Sequence, residues 1–112
     1  MRDSKNLGEF EILVLAALLH AGDNAYGARV RSEIETRANR AVSVGALYST
    51  LSRLENKGYV TSSLGEATAV RGGRAKRFYQ LTGLGRDKLD QAISGLNAML
   101  KGVAGWQDLP IR

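Results

Sequence analysis

Residues 44–56 are the first segment whose residue types and spacing could support binding chemistry. At helical spacing, this segment has an apolar stripe on one side and small or polar residues on the other. The stripe consists of Val44, Leu47, Leu51 and Leu54. The polar side consists of Gly45, Tyr48, Ser49, Ser52, Arg53 and Asn56, and Ser43 precedes them as the predicted N-cap. Such a helix can pack on a protein body while its polar side reaches base edges in a DNA major groove. The alternative is a plain amphipathic surface helix.

The second such segment is a basic, glycine-rich run at 71–77. Its cations are Arg71, Arg74, Lys76 and Arg77, and Gly72 and Gly73 separate the first two. The run lies in and beside a loop between two segments of β-forming composition, 59–64 and 76–81. Cations on such a loop can follow a phosphate backbone or enter a narrow minor groove. Taken alone, the loop could equally be a solvated charged surface or a patch for anionic lipid.

No constellation of residues suited to catalysis appears in the sequence, since its serines have no plausible base. It contains no cysteine, and its one histidine, His20, falls at the predicted end of an apolar helix, where it suits a helix cap. Glu33 and Glu35 are two residues apart and point to different helix faces. The glycines at 83 and 85 lack the spacing of a dinucleotide site. We therefore predict a protein that is not an enzyme and that needs no metal or other cofactor.

The fold class predicted from periodicity is mainly α with a small β-wing: a winged helix-turn-helix followed by a long C-terminal helix. The predicted helices are 7–20, 25–39, 44–56 and 83–105, with Gly58 ending the third and Thr82 capping the fourth. We assign residues 1–82 to the winged helix-turn-helix, 83–105 to the last helix in the same structural unit, and 106–112 to a tail. The longest apolar run, 12–19, is too short to span a bilayer. With no signal-peptide pattern, this predicts a cytoplasmic protein without membrane contact.

The last helix carries an apolar seam with heptad spacing. Its residues are Leu89, Ile93, Leu96, Leu100 and Val103. Such a seam packs either on its own domain or on a second copy of the chain, and we expect a homodimer. Two-fold pairing would place two recognition helices about one DNA turn apart, matching a palindromic site. Trp106 follows the seam and is either a packing anchor for the tail or a contact for a small aromatic effector.

Several runs of this sequence together resemble the PadR family of regulators. They are AYG at 25–27, VGALYSTLSRLENKGYV at 44–60 and GRAKRFYQLT at 73–82, followed by Gly85 and a terminal helix. The resemblance extends from about residue 7 to residue 100. It implies a winged-helix dimer, usually a repressor at an inverted repeat, whose first and last helices pair the subunits. The short chain is similar to the compact branch of that family.

The resemblance also implies roles for individual residues. Tyr48, with Gly45 and Ser49, would face DNA from the recognition helix, and Tyr26 would lie at the phosphate-contacting start of the second helix. The wing would contain Arg74, Lys76 and Arg77. One departure concerns effectors: some compact relatives bind planar drugs between tryptophans within the last helix, whereas Trp106 lies beyond it. Ala75, between the basic residues, is a departure that affects the geometry of the wing.

The function predicted from these observations is sequence-specific binding of double-stranded DNA by a homodimeric transcriptional regulator. Its net charge of +5 suits an acidic partner. The alternative from another class is a protein-interaction module that uses the winged helix to bind a partner protein. Affinity for duplex DNA at physiological salt separates the two, since the interaction module should lack it.

Overall fold

The computed structural model describes residues 6–65 and 75–106. Over those residues the chain forms four α-helices and a two-stranded antiparallel sheet. They are α1 (Glu9–Ala21), α2 (Gly27–Arg37), α3 (Val44–Asn56), β1 (Val60–Leu64), β2 (Arg77–Leu81) and α4 (Gly83–Leu100), with a 3₁₀ turn at Gly22–Asn24. This architecture confirms the predicted fold class of a mainly helical protein with a small β-wing. None of the helices in the described ranges is long and apolar enough to cross a membrane.

Helix α1 is the centre of the core, as its almost entirely apolar sequence predicts. Val14 and Leu15 are fully buried, and the helix contacts α2, α3, α4 and β2. Val44 of the predicted stripe is 52% exposed at the first position of α3, so the prediction of burial is wrong there. The other three stripe residues, Leu47, Leu51 and Leu54, pack on the same core and are at most 1% exposed. Each of these side chains, when removed from water, contributes about 1.5–3 kcal/mol. The apolar stripe therefore fixes which side of α3 remains outside.

The ends of α3 follow the chemistry of its terminal residues. The Ser43 hydroxyl accepts a hydrogen bond from the Ala46 amide at 3.1 Å, which satisfies a first-turn donor. At the other end, Gly58 has φ of 83°, and the Tyr59 amide donates back to the Leu54 carbonyl at 3.0 Å. A left-handed residue at this position favours glycine. Both predicted termini are confirmed.

Helix α2 begins two positions later than the sequence predicts, because the residues before it pair with the sheet. The Tyr79 amide donates to the Ala25 carbonyl at 2.9 Å, and Tyr26 forms a β-bridge with Phe78. These contacts hold the backbone before Gly27 extended. At its far end, α2 stops at Arg37 rather than Asn39, which has the left-handed φ of 54°.

The sheet pairs Val60 with Leu81 at its base and Leu64 with Arg77 at its far end. Each strand begins one residue later than predicted, and the Gly65 amide donates to the Lys76 carbonyl at 2.7 Å just beyond the paired segment. Residues 66–74, which include Arg71 and Arg74 of the predicted wing, lie outside the described residues.

The C-terminal helix is shorter than predicted and packs partly on its own chain. Thr82 caps α4 as expected, accepting from the Gly85 amide at 3.0 Å, but the helix ends at Leu100 instead of residue 105. Lys101 is extended, and Gly102 has φ of 87°, so Val103 lies beyond the helix. Leu89 is 3% exposed in the core of the same chain. Leu89 is therefore already covered by its own chain and is not available to the predicted intermolecular seam. Val103 is 50% exposed, but it lies beyond the helix that was predicted to carry it.

Candidate nucleic-acid interface

The outward side of α3 consists of the small and polar residues that the sequence predicted there. They are exposed along the whole helix, beginning at its N-cap: Ser43, Gly45, Tyr48, Ser49, Ser52 and Asn56. No side chain within 4 Å of Gly45 would meet an added Cβ, so the first turn is open to solvent. We call this set the α3 face. Its short side chains would let another molecule approach the helix backbone closely.

Tyr48 lies at one edge of the α3 face, against the start of α2. The aromatic side chain is 44% exposed, and its hydroxyl lies directly against Gly27, where an added Cβ would collide with it. Gly27 itself is buried. The missing side chain at Gly27 thus provides the space that sets the position of the Tyr48 ring. Sequence reasoning missed this role, although the adjacent Tyr26-Gly27 pair was the signal available.

A cluster of aromatic and cationic side chains joins the wing to the start of α2. The rings of Tyr26 and Phe78 meet edge to face at a centroid distance of 5.7 Å, and Lys76 Nζ lies 4.0 Å from the centroid of the Tyr26 ring. Both contacts are attractive, since the ring faces are electron-rich. Tyr26 is half-buried, and its ring packs against Lys76 and Phe78. Lys76 remains exposed beside it. We call residues 76–78, where the predicted wing joins β2, the wing root.

Arg77, the first residue of β2, has different partners from Lys76. Its guanidinium donates to the Ser62 hydroxyl at 3.0 Å, and that hydroxyl donates to Glu55 of α3 at 2.8 Å. Tyr79 lies on this same face of the sheet. Its burial raises the pKa of its phenol, and the nearby Tyr48 adds to the rise. The hydrogen bonds from Arg77 to Ser62 and from Ser62 to Glu55 thus connect the wing root to α3.

Arg53, which the sequence predicts to contact DNA, forms an ion pair with a carboxylate of its own chain. Its Nε lies 3.4 Å from the carboxylate of Glu11 in α1, and Lys57 Nζ lies 3.1 Å from the same oxygen. The Gly8 amide donates to the other oxygen of Glu11 at 2.8 Å. Desolvation by itself would raise the pKa of Glu11, but hydrogen bonds and charge from Gly8, Lys57 and Arg53 outweigh it and leave that pKa lowered. Sequence reasoning missed Glu11, since its partners lie far away in the chain.

Other arginines in the described ranges are also paired. Glu33 of α2 bridges Arg29 at 2.9 Å and Arg37 at 2.6 Å. Arg40, in the link to α3, pairs with Glu9 at 3.0 Å. The arginine side chains of these pairs are 40–56% exposed, although Glu33 is only 11% exposed, and ion pairs that water reaches contribute little stability. They matter here because they show which cations already have an acidic partner.

Several exposed apolar groups lie on α4 and just beyond it, and others, Leu19, Val44 and Leu64, are scattered over α1, α3 and β1. Leu96 is 45% and Met99 is 79% exposed, and both line a groove of about 410 Å³ that Leu7 and Ile12 border from the α1 side. Leu100 is half-buried, and Ile93 packs against the core. Trp106 is 56% exposed, with its amide donating to the Val103 carbonyl at 3.2 Å.

Comparison with known proteins gives a consistent assignment. The model of the transcriptional regulator PadR-like family matches residues 14–91. A protein of Mycobacterium tuberculosis described as transcriptional regulator Rv3488 is 38% identical over 94 residues, which are 83% of each chain. A PadR-like transcription factor from Bacteroides fragilis has a similar structure, with a TM-score of 0.71 and 26% identity over 84% of this chain and 85% of that one. A PadR family regulator from Clostridium difficile R20291 gives a TM-score of 0.67 and 27% identity, covering 88% of this chain and 100% of that one. This chain belongs to the PadR-like family of transcriptional regulators.

Proposed function

We propose that this regulator binds double-stranded DNA with the α3 face in the major groove and the wing beside it on the phosphate backbone. The observation that carries the proposal is the α3 face itself, an exposed row of glycine, serine and tyrosine on a helix whose other side is locked into the core. Lys76 adds positive charge beside Tyr26 at the start of α2, and the sequence supplies two further cations, Arg71 and Arg74, in the run that we expect to form the wing. Base contacts from the α3 face give specificity, and wing cations give affinity.

The proposal includes a homodimer that represses transcription from an inverted repeat. The exposed Leu96 and Met99, with the groove beside them, support pairing through α4 and the start of α1. A two-fold dimer presents two copies of the α3 face on one side of a duplex. The two alternatives for the exposed Trp106, a packing anchor for the tail or a contact for an aromatic effector, both stay predictions of the sequence.

The experiment that tests DNA binding is a fluorescence anisotropy titration with two duplexes, one from the region upstream of the gene and one of scrambled sequence, at two salt concentrations. Tighter binding to the upstream duplex, with two chains per site, is expected. Tyr48→Ala should abolish that preference, whereas Lys76→Ala should weaken binding to both duplexes and make the salt slope shallower by about one unit. Absence of binding to either duplex at low salt would favour the protein-interaction module instead.

A further inference from the structure

Glu11 is an acidic residue buried beneath the recognition helix. Its side chain is 8% exposed, yet it accepts hydrogen bonds from the Gly8 amide, Arg53 and Lys57. Burying a carboxylate is costly unless it is paired and hydrogen-bonded. The two cations meet that requirement: Arg53 belongs to α3, and Lys57 is the residue that caps its C-terminal end.

We propose that Glu11 is a specificity-determining residue of this regulator, because it holds Arg53 and Lys57 against the protein body and away from DNA phosphates. The inference rests on the proposed function, since it assigns a consequence of this ion cluster for duplex binding. Its role is to limit binding that ignores sequence.

The positions of Arg53 on α3 and of Lys57 at the C-cap of that helix would let both reach DNA if they were released. Ser49, Arg53 and Lys57 are spaced four residues apart and therefore form one row along the helix. Arg53 follows Ser49, a residue of the α3 face, in this row, and its guanidinium lies against Glu11. Its side chain is 51% exposed and that of Lys57 is 27% exposed, which leaves both free to turn toward solvent without opening the core.

The buried carboxylate competes well against a phosphate for these cations. Attraction between charges strengthens as the surroundings become less polar, and Glu11 lies in the less polar place. Phosphates of a duplex are hydrated and surrounded by counterions. Thr50 adds a contact that steadies Arg53 in its inward position, accepting from its guanidinium at 3.3 Å.

The consequence concerns discrimination between sequences. Each cation that neutralises a phosphate steepens the salt dependence of binding by about 0.9 units of log–log slope, regardless of sequence. Specific binding depends in addition on base contacts from the α3 face. Releasing Arg53 and Lys57 would therefore increase affinity for every duplex and reduce the relative advantage of the correct one.

The test is the salt dependence of binding to a scrambled duplex, measured for the full chain and for Glu11→Gln. Glutamine keeps the size of the side chain and an acceptor for the Gly8 amide but removes the charge. We expect the slope to steepen by about one to two units and the low-salt affinity to increase. The ratio of specific to scrambled affinity should fall.

A matched control is Glu33→Gln, which removes the same charge from a glutamate that also bridges two cations, Arg29 and Arg37 of α2. An equal steepening in this variant would assign the effect to net charge and overturn the proposal. An unchanged or shallower slope in Glu11→Gln, with its circular dichroism spectrum intact, would overturn it as well.

Arg53→Gln provides a second test that does not depend on the folding of Glu11→Gln. If Arg53 is held inward, its removal should leave the slope of the otherwise unchanged protein within error. A slope shallower by about one unit would show that Arg53 already contacts phosphate and would overturn the proposal. Failure of the unmodified chain to bind any duplex would instead contradict the proposed function, and the two failures are thereby distinguished.

Discussion

The contact between Tyr48 and Gly27 shows how a single missing side chain can set the position of a binding group. The Tyr48 hydroxyl lies where a Cβ on residue 27 would be, so the ring rests on bare backbone at the start of α2. The α3 face depends on this support, because a tyrosine free to rotate would lose entropy on binding DNA.

Gly27→Ala should displace the Tyr48 ring while leaving the fold in place, since the atom that must move is the end of a side chain that is 44% exposed. We expect a loss of preference for the upstream duplex over a scrambled one, by at least several-fold. Anisotropy titrations measure this ratio. Ala28→Ser, an exposed change on the same turn, is the control. If Gly27→Ala preserved this affinity ratio, the position of the Tyr48 ring would not determine specificity.

A pH dependence follows from Glu11. Its pKa is held below the usual value of 4.5, so the folded state prefers the ionised form more than the unfolded chain does. The stability that this preference contributes is present above about pH 4.5 and is lost as pH falls through the lower folded pKa. Urea unfolding across this range should show a stability difference between the unmodified chain and Glu11→Gln that shrinks on acidification. A stability difference that stays constant with pH would contradict stabilisation of the folded state by the ionised Glu11.

At the level of the elements, hydrogen bonds and close backbone contacts join the end of α3 to the start of α4. The Thr82 hydroxyl donates to the Gly58 carbonyl at 2.7 Å, and the Thr82 amide donates to the Tyr59 carbonyl at 3.1 Å. The backbone of Gly85 lies against that same carbonyl of Tyr59. The end of the recognition helix and the start of the C-terminal helix are therefore held as one rigid corner.

Gly85→Ala should destabilise the protein by about 1–3 kcal/mol, because the new methyl group would meet backbone rather than a side chain that can turn away. Gly83→Ala is the matched control on the same helical turn, where nothing lies within 4 Å of an added Cβ. Chemical denaturation of both variants measures the difference. Equal stability of the two variants would contradict this packing.

The sequence predicts these elements well where local chemistry decides them and poorly where distant residues do. The termini of α3 follow from Ser43 and Gly58, and both are confirmed. The start of α2 could not be predicted, since it depends on pairing of Ala25 with Tyr79 in a strand far along the chain. Likewise, the spacing of Leu89 indicates an apolar stripe but not whether the chain itself or a partner covers it. The ion cluster at Glu11 shares this cause, because long-range contacts leave no periodic signal.

At the scale of the whole molecule, the apolar residues that remain exposed on α4 indicate how two chains would pair. Leu96 and Met99 are too exposed to contribute to the core of one chain. Burying them in a dimer would remove their apolar surface from water. The rigid α3–α4 corner would then fix the distance between the two copies of the α3 face.

Met99→Glu should shift the protein toward monomer, because a charge in an apolar interface must be desolvated. Sedimentation equilibrium measures the shift. The control is Leu64→Glu, which changes another strongly exposed apolar residue, at the far end of the sheet. If Met99→Glu dimerises as strongly as the unmodified chain, the dimer interface does not include this part of α4.

Sequence-specific DNA binding by the α3 face is tested directly by selecting duplexes from a random pool with the purified chain and then sequencing them. A dimer that reads DNA with two copies of the α3 face should enrich an inverted repeat whose half-sites are centred about one helical turn apart, or a multiple of it. Tyr48→Ala should enrich no such repeat. Recovery of duplexes without any common sequence, at affinities that depend only on salt, would contradict sequence-specific regulation by the α3 face.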